Sequence, residues 1–157
     1  ASMNSIGILE RNYTSSRLQL RVNNMHISLD RLDEAHKALL TETKTLIETL
    51  TQTLSLYVQD PAAHSLEALP EYLKELAGAA QFLGNSAQQT ALLTAANFAQ
   101  KRLDQNLALD AEQVNCILNV VAGLDLLVDN LKNKQPVLQS MFDVALSSSQ
   151  QLQNIAA

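Results

Sequence analysis

The sequence predicts an all-α fold: an antiparallel up-down bundle of four to five helices with a short N-terminal arm. Three observations predict it. The 157 residues include only four Gly, three Pro and 4% aromatics, with no Trp, which is poor material for a sandwich or barrel. Apolar residues recur at steps of three and four over most of the chain, the helical period. The breaks between these stretches are only a few residues long, and short connections make consecutive helices antiparallel neighbours. A chain of this length is the size of one domain and buries a core without disulfides or metal.

Residues 1–27 differ from the rest. Arg17-Leu18-Gln19-Leu20-Arg21-Val22 alternates polar and apolar, the period of a half-buried strand. The segment reads as a short extended arm, with helix as the competing reading because Leu and Arg are good helix formers. The chain therefore divides into an arm or short element, 1–27, and a helical bundle, 28–157.

From Ser28 the helical period takes over. Leu29, Leu32, His36, Leu39, Leu40, Thr43, Leu46, Ile47, Leu50 and Leu54 form one apolar stripe to about Val58, ended by Asp60-Pro61 because the residue before proline resists the α conformation. A second helix is expected from about Leu66 to Leu83, with Pro70 in its first turn and Gly84-Asn85 as its stop. Ser86-Ala87-Gln88-Gln89 reads as a capping box. It opens a third helix that runs to about Gln105 and buries Leu92, Leu93, Ala96 and Leu103. Asp110 caps a fourth, with Val114, Ile117, Leu118, Val121, Leu124, Leu127, Val128 and Leu131 inward. Pro136 suits the first turn of the last helix, whose inward set is Val137 or Leu138, Met141, Phe142, Ala145, Leu146 and Leu152.

Composition also narrows function. Eleven Lys and Arg against sixteen Asp and Glu give a net charge of -5, which disfavours a general nucleic-acid binder. Cys116, the only cysteine, excludes an intramolecular disulfide and reads as a small buried hydrophobe. No apolar run approaches the roughly 18 residues of a membrane span, and no signal peptide opens the chain. Ala1-Ser2 before Met3 reads as a cloning remnant, and a cytoplasmic location is expected. There is no phosphate-cradling glycine loop, no nucleophile elbow and no spaced ligand set, so neither enzyme activity, nor a metal, nor a cofactor is expected. Glu34-Ala35-His36-Lys37 weakly matches a histidine-kinase phosphoacceptor box without its arginine and proline. His26 and His64 stand at predicted junctions.

The stretch Leu73-Lys74-Glu75-Leu76-Ala77-Gly78-Ala79-Ala80-Gln81-Phe82-Leu83-Gly84 carries the most informative pattern. It resembles the phosphohistidine helix of histidine phosphotransfer (Hpt) domains, usually H-x-L-K-G-S followed by small residues and a second glycine. Leu76, Gly78, Ala79 and Gly84 fall on the family's leucine, first glycine, small residue and second glycine, and the resemblance spans about residues 40–105. Lys74 stands where the phosphorylated histidine belongs and Ala77 where the lysine belongs. A lysine with a pKa of about 10.4 is protonated and lacks the nucleophilic lone pair. The chain is thus similar to degenerate Hpt domains, such as the N-terminal modules of the chemotaxis-like kinase that controls type IV pili and the related FimL regulators.

That resemblance implies a non-catalytic signalling module in a bacterial two-component or chemotaxis-like pathway. Its partner would be a response-regulator receiver domain or a signalling scaffold. The implied partner-binding face is Lys74, Ala77, Gly78 and Gln81, with Glu71 and Glu75 at the rim. Two readings compete. In one, Gly78 merely permits close helix packing and Lys74 is a solvated helix lysine. The protein is then a secretion chaperone or structural adaptor, with a homodimer formed through the N-terminal arm. In the other, His36 or His64 serves an active phosphorelay.

Overall fold

The computed structural model describes residues 15–156, and the surroundings of side chains over 33–155. Five α-helices and two short 3₁₀ turns account for most of them, and no strand occurs among the described residues. The helices are α1 Ser15–Gln59, α2 Leu69–Phe82, α3 Ser86–Asp104, α4 Ala111–Lys132 and α5 Asp143–Ala156. By its internal contacts the chain divides between Leu40 and Thr41 into two compact units. The second, Thr41–Ala157, is the helical bundle.

α1 begins earlier than Ser28. Residues 17–22 are helical, not extended: no Gly or Pro interrupts the segment, and the helix propensity of its Leu and Arg prevails over the alternating pattern. Residues 1–14 lie outside the described residues, as do the surroundings of the His26 side chain. Within the bundle, α1 buries Thr43, Ile47, Leu50, Leu54 and Tyr57, a 3- and 4-step stripe. It stops at Gln59, with Asp60 outside the α conformation before Pro61 and a 3₁₀ turn over Pro61–Ala63.

α2 and α3 form a tight pair. α2 buries Leu73, Leu76, Ala77 and Ala80, and α3 buries Ala91, Leu92, Ala95, Ala96 and Ala99. So many alanines let the two helices approach closely. Gly84 ends α2 at φ +78°, a left-handed conformation that glycine adopts without steric cost. Its N–H donates to the Gln81 carbonyl, and that of Asn85 reaches the Ala80 carbonyl, both at 3.0 Å, a Schellman closure. Asn85 then serves the next helix, its side chain accepting from the Gln88 N–H at 3.0 Å. The N-cap of α3 is therefore Asn85 and not Ser86. Both side chains can cap, and Asn85 takes the position because the Schellman turn delivers it there. Leu92 and Ala96 are buried as expected, but Leu93 is exposed and Leu103 half-buried.

Asp110 caps α4 in a complete capping box with Gln113. α4 is the one helix among the described residues long and apolar enough to cross a membrane, and half of its most apolar window is buried in the bundle. Val114, Ile117, Val121, Leu124, Leu127 and Val128 face inward, while Leu118 and Leu131 are half-buried. Cys116 Sγ donates to Gln151 Oε1, Asn119 Nδ2 donates to Ser148 Oγ, and Gly123 lies against Ala145. One number rises as the other falls, so α4 and α5 run in opposite directions.

The last helix starts at Asp143, after a 3₁₀ turn over Gln139–Phe142, and not at Pro136. Asn130 Nδ2 holds the Pro136 carbonyl at 2.7 Å, and that carbonyl is then no helix acceptor. Val137 and Leu138 consequently stay exposed, while Phe142, Ala145 and Leu152 enter the core. Met141 and Leu146 are half-buried.

At the centre, Gln88 is fully buried and its Nε2 donates to the Val120 carbonyl at 2.6 Å. Gly123 gives this amide its room. A Cβ at position 123 would stand 2.5 Å from Gln88 Oε1 and 2.7 Å from Ala145 Cβ. On the α1 side, Lys44 Nζ bonds Asp125 at 2.7 Å and Asp129 at 3.2 Å.

Candidate functional site

α2 has one wet face. Each helical residue advances about 100°, so positions 71, 74, 75, 78, 81 and 82 fall in one stripe opposite the buried Leu69, Leu73, Leu76 and Ala80. Glu71, Lys74, Glu75, Gly78 and Gln81 are all exposed there. The structure thus gathers five of the six residues expected to bind a partner.

Ala77 is the exception. It is 2% exposed and belongs to the packed side of α2. Its direction lies about 100° round the helix from Gly78, and its methyl group suits the alanine-rich contact with α3. Ala77 is accordingly removed from the face.

Lys74 turns outward. Its side chain is half exposed and donates to Glu71 Oε1 at 3.3 Å, one turn back. Such an exposed pair holds its lysine weakly, so the ammonium is available for exchange onto another anion.

Gly78 meets open space: a Cβ built there finds no atom within 4 Å. Close helix packing therefore does not explain this glycine. A glycine inside a helix costs about 1 kcal/mol relative to alanine, and nothing within the described bundle offsets that cost. What Gly78 leaves is a bare strip of backbone between Lys74 and the end of the helix.

Sequence reasoning missed Phe82. It is 57% exposed and stands one turn beyond Gly78, within the stripe. A large exposed aromatic beside an uncluttered backbone patch is the composition of a protein-binding anchor. The signal was its i+4 spacing from Gly78. It went unread because an aromatic in an apolar helix is ordinarily assigned to the core.

The remaining candidates are dispersed. His36 is half-buried on α1 and His64 is half-buried after the Pro61–Ala63 turn. No group of three or more His, Cys, Asp or Glu able to hold a metal occurs among the described residues. Cys116 is 3% exposed. Burial, with Glu112 and Asp110 adding to it, raises its thiol pKa above the ordinary value, which keeps it in the unreactive thiol form.

A family model described as the FimL C-terminal domain matches residues 30–149. No curated protein and no solved structure matches the chain.

Proposed function

The chain belongs to the FimL C-terminal domain family, and from that premise we propose that it is a non-catalytic pseudo-phosphotransfer domain that binds a signalling partner through the exposed face of α2. The partner is a receiver domain or a scaffold of a two-component or chemotaxis-like pathway regulating type IV pili. The observation that carries this reading is Gly78, a helix-destabilising residue on open surface.

The chemistry of the face supports a docking role. Lys74 offers a positive charge where a phosphotransfer domain offers an imidazole, and an acidic phosphoacceptor pocket attracts that charge. The loss of its 3.3 Å bond to Glu71 costs little at an exposed site. Gly78 lets the partner's backbone approach, and Phe82 supplies the apolar anchor from which most of the binding energy comes. Glu71 and Glu75 at the rim select a partner with basic groups around its acidic centre.

The test is titration of the protein against receiver domains, repeated with Gly78→Gln and Phe82→Ala. Each variant is expected to weaken binding at least about tenfold, near 1.4 kcal/mol, while its melting curve stays that of a folded domain. Binding that survives both substitutions places the interface elsewhere. Incubation with a phosphorylated receiver is expected to leave no acid-labile label on the chain. Label abolished by His36→Gln or His64→Gln overturns the non-catalytic reading.

A further inference from the structure

α1 carries two apolar series. Its buried positions are Leu40, Thr43, Ile47, Leu50, Leu54 and Tyr57, at alternate steps of three and four. Continued backward, that series would place Asp33, His26 and Gln19 in every second position. The apolar residues stand one place earlier at each: Leu32, Met25 and Leu18. With Val22, Leu29, His36 and Leu39 they form a second series, in which His36 is the one polar member.

The helix is unbroken through both stretches, yet Ala1–Leu40 is a compact unit separate from the bundle. A helix is held mainly by packing its amphipathic face. A seam that repeats every seven residues over about three heptads, with Leu or Met at each d position, is that of a coiled coil.

We propose that residues 21–42 of two copies of this chain pair as an antiparallel coiled coil. Charge selects both the occupant and its direction. The titratable residues at the positions flanking the seam are Arg21, His26, Asp33 and Glu42, and Asp33 and Glu42 are exposed. A two-fold axis between Asp30 and Arg31 sets Arg21 opposite Glu42 of the second copy and His26 opposite its Asp33. Each pair occurs twice, because a two-fold contact repeats itself. The same axis layers Val22 on Leu39, Met25 on His36 and Leu29 on Leu32, so the seam closes on itself. Parallel pairing instead sets Arg21 beside His26 and layers His36 on His36, bringing no opposite charges together.

The test is sedimentation equilibrium of the full chain. At about 100 μM, well above a micromolar dissociation constant, the mass of a dimer is expected. Arg21→Glu and Glu42→Arg should each raise the dissociation constant about tenfold, since each turns two attractions into two repulsions. The double variant should return to within about threefold of the parent. In a parallel pair positions 21 and 42 lie about 30 Å apart, and the double variant would restore nothing. Leu32→Glu should leave a monomer whose bundle melts as in the parent, and the charge variants serve if this one does not fold. A monomer at that concentration overturns the proposal. So does a dimer indifferent to the single charge reversals, a double variant as weak as the singles, or a dimer that Leu32→Glu leaves intact.

Discussion

Gly78 and Gly123 are both glycines in the middle of a helix, and their surroundings are opposite. At Gly123 a methyl group would collide with the Gln88 amide and with Ala145, whereas at Gly78 it would meet nothing. Two lysines make the same contrast. Lys44 is held between Asp125 and Asp129, and Lys74 has one exposed bond to Glu71. Gly123 and Lys44 are explained by what they touch inside the bundle. Gly78 is not, and an expense that the fold itself does not require points to a requirement from outside it. That difference supports a docking role for the wet face of α2.

The comparison is most easily broken at Gly123. Gly123→Ala is expected to destabilise the protein by about 2 kcal/mol, overpacking outweighing the gain in helix propensity. The melting temperature should fall by roughly 4–8 °C for a chain of this size. A variant as stable as the parent would show that the two glycines are not different in kind. Gly78→Ala should act with the opposite sign, raising stability by about 0.5–1 kcal/mol in urea denaturation. A loss of stability there would make Gly78 structural and remove the main support for docking.

The lysines sharpen the contrast with a smaller effect. Its hydrogen bond to Asp125 raises the pKa of Lys44 above the ordinary 10.5, burial works against this, and Asp129 adds to the rise. The folded state therefore holds the proton more tightly than the unfolded state. The stabilisation is complete below the ordinary lysine value and is lost as pH rises through the raised one. Lys44→Met is expected to cost up to about 1 kcal/mol at pH 7, and Lys74→Met almost nothing. Above pH 11 the Lys44→Met difference should shrink, as followed by urea denaturation across pH. A constant difference would mean that Lys44 acts through its alkyl chain.

Much of the fold was legible because its signals are local. Asp60-Pro61, Gly84-Asn85 and the Asp110 cap each fix a boundary through chemistry confined to a few residues. The errors arose where a local rule met a competitor. Ser86 is a sound cap, but Asn85 was already placed by the preceding turn. Pro136 suits a first helical turn, but Asn130 took its carbonyl. On α2 the stripe was legible from spacing, and five of its residues share the exposed face. Ala77 was misplaced because position in a motif says nothing of direction around the axis. Phe82 was overlooked because hydrophobicity alone does not reveal exposure.

The clasp on Lys44 also has a consequence in time. Its carboxylate partners lie 81 and 85 residues further along the chain, whereas α2 and α3 are joined by a three-residue turn, and entropy makes short closures the easier ones. As the chain leaves the ribosome, the ammonium is made long before the residues that will hold it. α1 thus waits for α4 before its lysine finds those partners, and a chain broken off before Asp125 never completes that attachment.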